Sequence, residues 1–242
     1  MRTMRWSIAS RIVSGLFIVI VIAGCASTKV TDRQILDPQR KIPRPDHILV
    51  YDFVATPADV PADSALADQS AVHQTSQTAE QIAMGRQVGA EIAAKLVEEL
   101  RSLGLPAEGA STQTTPRIND IVIRGYLLSV EEGSATKRMA IGFGAGASHL
   151  SVAAEGYQMT AQGLRKLGSG TVDTGGAKGP GAAVPLAVAI ASANPLGLIV
   201  SSGMKVYGEA SGSSKIEGRA EQAAKAIVEE MKPRLRQQGW IE

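Results

Sequence analysis

"TAEQIAMGRQVGAEIAAKLVEELRSLGLP", residues 78–106, is the clearest periodic stretch of the chain and decides its fold class. Val88, Ile92, Leu96, Leu100 and Leu103 recur every three or four residues, which places them in one apolar stripe along a helix. Thr78 stands where an N-cap belongs, and Gln81 three residues later completes a capping box. Gly104 and Pro106 supply the stop. Gly85 and Gly89 lie near the stripe, so the helix is expected to pack tightly against a sheet at that end.

The segments around this helix read mostly as strands. "HILVYDFVA" (His47–Ala55) is rich in β-formers and is expected to be the first, buried strand. "LPAEGA" after the helix is a short extended piece, and "DIVIRGYLLSVEEG" (Asp120–Gly133) is a longer strand. "SHLSVAAEGYQMTAQG" (Ser148–Gly163) alternates loosely, and "LRKLGSGTVDTG" continues as another strand. Thr56–Thr78 has two prolines and little periodicity, and reads as a long loop. A last helix, from about Lys215 to Arg236, puts Ile216, Ala220, Ala223, Ile227, Met231 and Leu235 on one face. Pro233 is expected to kink or shorten it. This order argues α/β (α+β): one domain over residues 46–242, with a mixed β-sheet packed by amphipathic helices.

The N-terminus reads differently. "MRTMRWSIASR" carries Arg2, Arg5 and Arg11 and no acid, and an apolar run of 11 residues follows from Ile12 to Ile22. A basic start, a short apolar centre and small residues at the exit have the layout of a secretory signal peptide over residues 1–24. A membrane-crossing helix needs roughly 20 apolar residues. The exit "IAGC" is similar to the lipobox of bacterial lipoproteins. That resemblance implies cleavage between Gly24 and Cys25 and a diacylglyceryl group on the Cys25 thiol. The other reading is a secreted protein, or an uncleaved anchor, with an incidental cysteine. Ala26, where an aspartate would favour inner-membrane retention, points to the outer membrane and its periplasmic face. Residues 25–45, polar and proline-bearing, read as the acylated tether. Cys25 is the chain's one cysteine, so once acylated it leaves no thiol for a disulfide, a redox pair or a nucleophile.

Composition and motifs narrow the chemistry. Without residues 1–24 the chain has 22 basic and 23 acidic residues, so its formal basicity is no argument for nucleic acid. Aromatics at 4% are too scarce for stacking platforms. "IGFGAGAS" (Ile141–Ser148) misses the spacing of a dinucleotide fingerprint, and no phosphate loop is present, so no nucleotide is expected. His47, His73 and His149 are scattered, without the spacing of a zinc site. No G-x-S-x-G elbow appears, and Asp52, Glu131 and Glu132 are acids that could pair only in space. No catalytic residue, metal or cofactor is therefore expected beyond the covalent lipid. Residues 179–204, "GPGAAVPLAVAIASANPLGLIVSSGM", carry no charge. They read as a buried helix–turn–helix or as a hairpin inserted in a membrane or between subunits, through Pro185, Leu186, Val188, Ile190, Leu196, Leu198 and Ile199.

The chain resembles a family of proteobacterial lipoproteins known only as a domain of unknown function. The residues that carry the resemblance are "IAGC", "ILVYDF", "GRQVGAEIAAKLVEELRSLGLPA", "DIVIRGYLLSVEEGS" and "RMAIGFGAGASHLSV". The family brings no activity and no catalytic residues. A looser likeness, in "VYDF", "LRSLG" and "DIVIRGYL", extends to the curli-secretion channel subunit and the activator of penicillin-binding proteins. These imply compact α/β domains that assemble or bind partners. The expectation is a lipid-anchored, non-enzymatic protein of envelope assembly or export, acting through envelope proteins or self-association. The alternatives are a subunit of an oligomeric secretion pore or a periplasmic hydrolase.

Overall fold

The computed structural model describes residues 28–56, 59–61, 78–131, 149–175 and 216–242. In chain order these form β1 (Lys29–Ile35), β2 (Ile48–Tyr51), α1 (Ala79–Ser102), β3 (Ala107–Ala110), β4 (Ile121–Glu131), β5 (His149–Thr160), β6 (Gly163–Gly175) and α2 (Ile216–Gln238). The strands make one six-stranded mixed sheet in the order β1-β6-β5-β4-β2-β3. β2 pairs in parallel with β3 and β4, while β4, β5, β6 and β1 pair antiparallel in succession. The parallel half follows from α1, which carries the chain from β2 across to β3, as a parallel pair requires. The antiparallel half follows from the tight β5–β6 turn, which Gly163 leaves at φ +106°, a conformation glycine adopts without strain.

Both helices lie on one face of the sheet. Ile48 and Val50 of β2, Ile121 and Ile123 of β4 and Val152 of β5 share the main core with Ile92, Leu96 and Leu100 of α1. α2 adds Ala220, Ala223, Ala224 and Ile227 to the same core. Leu49, Val122 and Tyr157 form a second cluster; strand alternation puts them on the reverse face.

α1 confirms its sequence reading in detail. The Thr78 hydroxyl accepts from the Gln81 N–H and the Gln81 side chain accepts from the Thr78 N–H, closing the capping box. Gly104, at φ +75°, turns the chain out after the C-cap Leu103. A Cβ on Gly89 would overlap the Phe53 carbonyl oxygen, and one on Gly85 would come within 2.8 Å of the Ala55 Cβ. The Phe53 N–H donates to the Gly89 carbonyl at 3.2 Å, so this helix touches the chain leaving β2 backbone to backbone. The Phe53 ring in turn lies flat where a side chain on Gly125 would be.

Two expectations change. Residues 29–35, placed by sequence in the polar tether, are strand β1 and pair with β6 from Lys29↔Asp173 to Ile35↔Gly168. An edge strand needs few apolar residues because one side meets water. Pro233 does not stop α2, which continues to Gln238. No helix among the described residues is long and apolar enough to cross a membrane. Most of the loop expected at Thr56–Thr78 lies outside the described residues.

Candidate functional site

Two places on β5 and β6 collect chemistry. The first is built on the reverse face of the sheet by strand alternation. Arg124 and Tyr126 of β4 share that face with Glu155 and Tyr157 of β5, because Arg124 pairs with Glu155 in register. Glu155 is buried and accepts from the Tyr126 hydroxyl at 3.1 Å, the Tyr157 hydroxyl at 2.6 Å and Lys166 Nζ at 2.5 Å. The Arg124 guanidinium lies 5.6 Å from the Tyr157 ring centre and 5.9 Å from that of Tyr51, within cation–π range. Burial, and then the hydrogen bond to the Glu155 carboxylate, push the Tyr157 phenol well above its ordinary range. A phenol held neutral and a carboxylate with three donors are committed to each other, an arrangement that welds three strands together. A second buried carboxylate among the described residues, Asp120, accepts from the Arg117 N–H at 2.8 Å.

The second place is a cleft of about 200 Å³ on the helix-bearing face, between β1, β6, β5 and the C-terminal half of α2. Its walls are apolar: Val30, Ile123, Ala154, Val172, Ile227 and Met231. Ile35 and Leu36, which also line it, are among the exposed large hydrophobic residues of the chain. Its rim is ionic. Arg33 pairs with Glu230 at 3.1 Å and Arg40 with Asp37 at 2.5 Å. Two further cations have no such carboxylate in the described residues. Arg165 bonds the Gln158 side-chain oxygen, and Arg234 is held by the carbonyl oxygens of Asp37, Pro38 and Arg40. The far end is closed by Trp240, whose indole N–H donates to the Ile42 carbonyl at 3.3 Å.

The residues singled out from sequence fall elsewhere. Gly24, Cys25 and residues 179–204, with Pro185, Leu186, Val188, Ile190, Leu196, Leu198 and Ile199, lie outside the described residues, as do Ile141–Ser148, His73 and Glu132. His47 Nδ1 sits 2.9 Å from a Glu108 carboxylate oxygen, and Asp52 is exposed. No group of three His, Cys, Asp or Glu that could hold a metal occurs among the described residues. Sequence reading passed over Glu155. Its signal is "EGY", which at strand spacing sets Glu155 and Tyr157 on one face. The cleft has no local signal, since it joins residues about 200 positions apart.

No curated protein matches the chain. Among solved structures it is similar to a PelC variant dodecamer from Paraburkholderia phytofirmans, at 12% identity and a TM-score of 0.38, over 84% of this chain and 95% of that one. A second PelC dodecamer from the same organism is similar at 14% identity and a TM-score of 0.32, over 72% of this chain and 92% of that one. The model of a family described as Domain of unknown function (DUF4410) matches residues 48–193, more than half of the sequence, and the chain belongs to that family.

Proposed function

We propose that the chain is a lipid-anchored, non-enzymatic protein at the periplasmic face of the bacterial outer membrane. It works in envelope assembly or export by binding protein partners or further copies of itself. The observation that carries this reading is the distance in sequence between the lipobox cysteine and the sheet. Cys25 precedes the first residue of β1, Lys29, by four positions. Four residues reach at most about 14 Å, so an acyl group on Cys25 holds the β1 edge at the bilayer surface. A free tether through residue 45 would have let the domain stand several times farther off. Two or three acyl chains are needed for stable attachment, which is what a diacylglyceryl cysteine provides. The engagement of Asp120 and Glu155 by donors further supports a binding role over hydrolysis.

Labelling with a palmitate analogue tests the anchor. Label on the wild-type chain that disappears in Cys25→Ser is expected, and label that persists would overturn it. Cross-linking in native membranes tests the second half. Recovery of discrete larger species is expected, and recovery of the monomer alone would overturn it.

A further inference from the structure

We propose that the cleft between β1 and α2 binds one acyl chain of a phosphate-headed lipid from the bilayer, with the phosphate held by Arg165 and drawn by the charge of Arg234. Three independent features converge there. The walls are apolar, as in sites that take up small apolar ligands, and the cleft has about 200 Å³ of room. That volume suits a stretch of one chain and excludes a whole lipid, so the remainder stays in the membrane.

The rim selects the head. Of its cations, Arg33 and Arg40 are already matched by carboxylates, whereas Arg165 and Arg234 meet only neutral oxygens in the described residues. Arg165 gives one N–H to Gln158 and keeps further terminal N–H groups, which suits a phosphate that takes parallel N–H bonds. The terminal N–H groups of Arg234 are taken by Pro38, Gln237, Asp37 and Arg40, so it contributes charge. An uncharged head would leave both charges unmatched.

The anchor supplies the lipid. Val30, which lines the cleft, lies five residues after Cys25, a reach of at most about 18 Å. Ile35 and Leu36 carry the apolar lining out to the surface. The source of the lipid rests on the anchor reading, whereas the chemistry of the cleft does not.

The test uses the full chain, purified from its envelope and exchanged into a short-chain detergent. Mass measured under denaturing conditions reports the covalent group on Cys25, and native mass reports lipid held without a bond. With dioleoylphosphatidylglycerol added, a single adduct per chain is expected. Dioleoylglycerol, with the same chains and no phosphate, should bind about tenfold more weakly. Ala154→Phe, which fills the cleft, should lose the adduct while keeping the Cys25 mass. Arg165→Gln should weaken phosphatidylglycerol by about tenfold and leave dioleoylglycerol unchanged. A wild-type chain with no adduct would overturn the proposal, as would equal adducts on an Ala154→Phe chain that unfolds at the wild-type temperature. A dimer lost with Ala154→Phe and carrying no lipid would also overturn it, by naming a second copy as the occupant. An adduct on a chain whose Cys25 is unmodified would support the cleft and remove the anchor.

Discussion

α1 and α2 lie on the same face of one sheet, yet they meet it in different ways. α1 comes down until backbone touches backbone, with Gly85 and Gly89 against Ala55 and Phe53 and the Phe53 ring laid on Gly125. α2 packs closest through its first half, where Ala220, Ala223 and Ala224 are fully buried, while Val228 and Leu235 keep its second half in the core. Its second half replaces alanine with Met231 and Arg234, and there a cleft opens over β5 and β6. The choice of small or long side chains on the helix thus separates a closed half, which holds the sheet, from an open half, which has room for a ligand.

The largest expected effect comes from the closed half. Gly89→Ala drives a methyl group into the Phe53 carbonyl, and overpacking of this kind destabilises by about 1–3 kcal/mol. The gain in helix propensity offsets up to about 1 kcal/mol of that. Thermal unfolding reads the net loss, and an unchanged midpoint would mean that α1 does not sit as close as described. Glu155→Gln comes next. It leaves Lys166 and two phenols without their carboxylate, and because Lys166 is a quarter exposed water takes up part of the deficit. A loss of about 1–2 kcal/mol in urea unfolding is expected.

The open half should behave in the opposite sense. Ala154→Leu adds volume next to the cleft, so its effect is expected to stay within about 1 kcal/mol and to favour the folded state, as cavity filling does. A loss as large as that of Gly89→Ala would erase the difference between the halves. The smallest effect concerns a surface contact on the α1 side. Burial raises the Asp59 carboxyl, but hydrogen bonds from Arg86 and Thr56 and the Arg86 charge outweigh it and hold the group below the usual aspartate value. A carboxyl lowered by folding adds stability above its unfolded pKa, and that stability is lost as pH falls through the folded value. For so exposed a pair, about 0.5 kcal/mol or less is at stake. Asp59→Asn should remove it, seen as a shallower fall in urea midpoint between neutral and acid pH.

How much of this was legible in the sequence differs between the same two halves. α1 announced its stripe, its cap at Thr78 and its stop at Gly104, because these are signals within one or two turns of chain. The tight packing was legible too, in Gly85 and Gly89. β1 was not, since "KVTDRQI" offers only Val30 and Ile35 as strand-forming apolar residues, and its partner lies some 140 positions on. The cleft was hidden for the same reason: the Ile42 N–H bonds to Gln238 across 196 residues, and no local pattern reports such a meeting. Glu155 was overlooked because loose alternation in β5 concealed which acids face inward.

Hydrogen–deuterium exchange on the full, acylated chain tests most directly whether the β1–α2 side is the one that works at the membrane. The comparison is between detergent solution and a bilayer containing phosphatidylglycerol. Slowed exchange confined to residues 29–40 and 227–240 is the expected result. Slowed exchange over α1 and β3, with β1 unchanged, would contradict it.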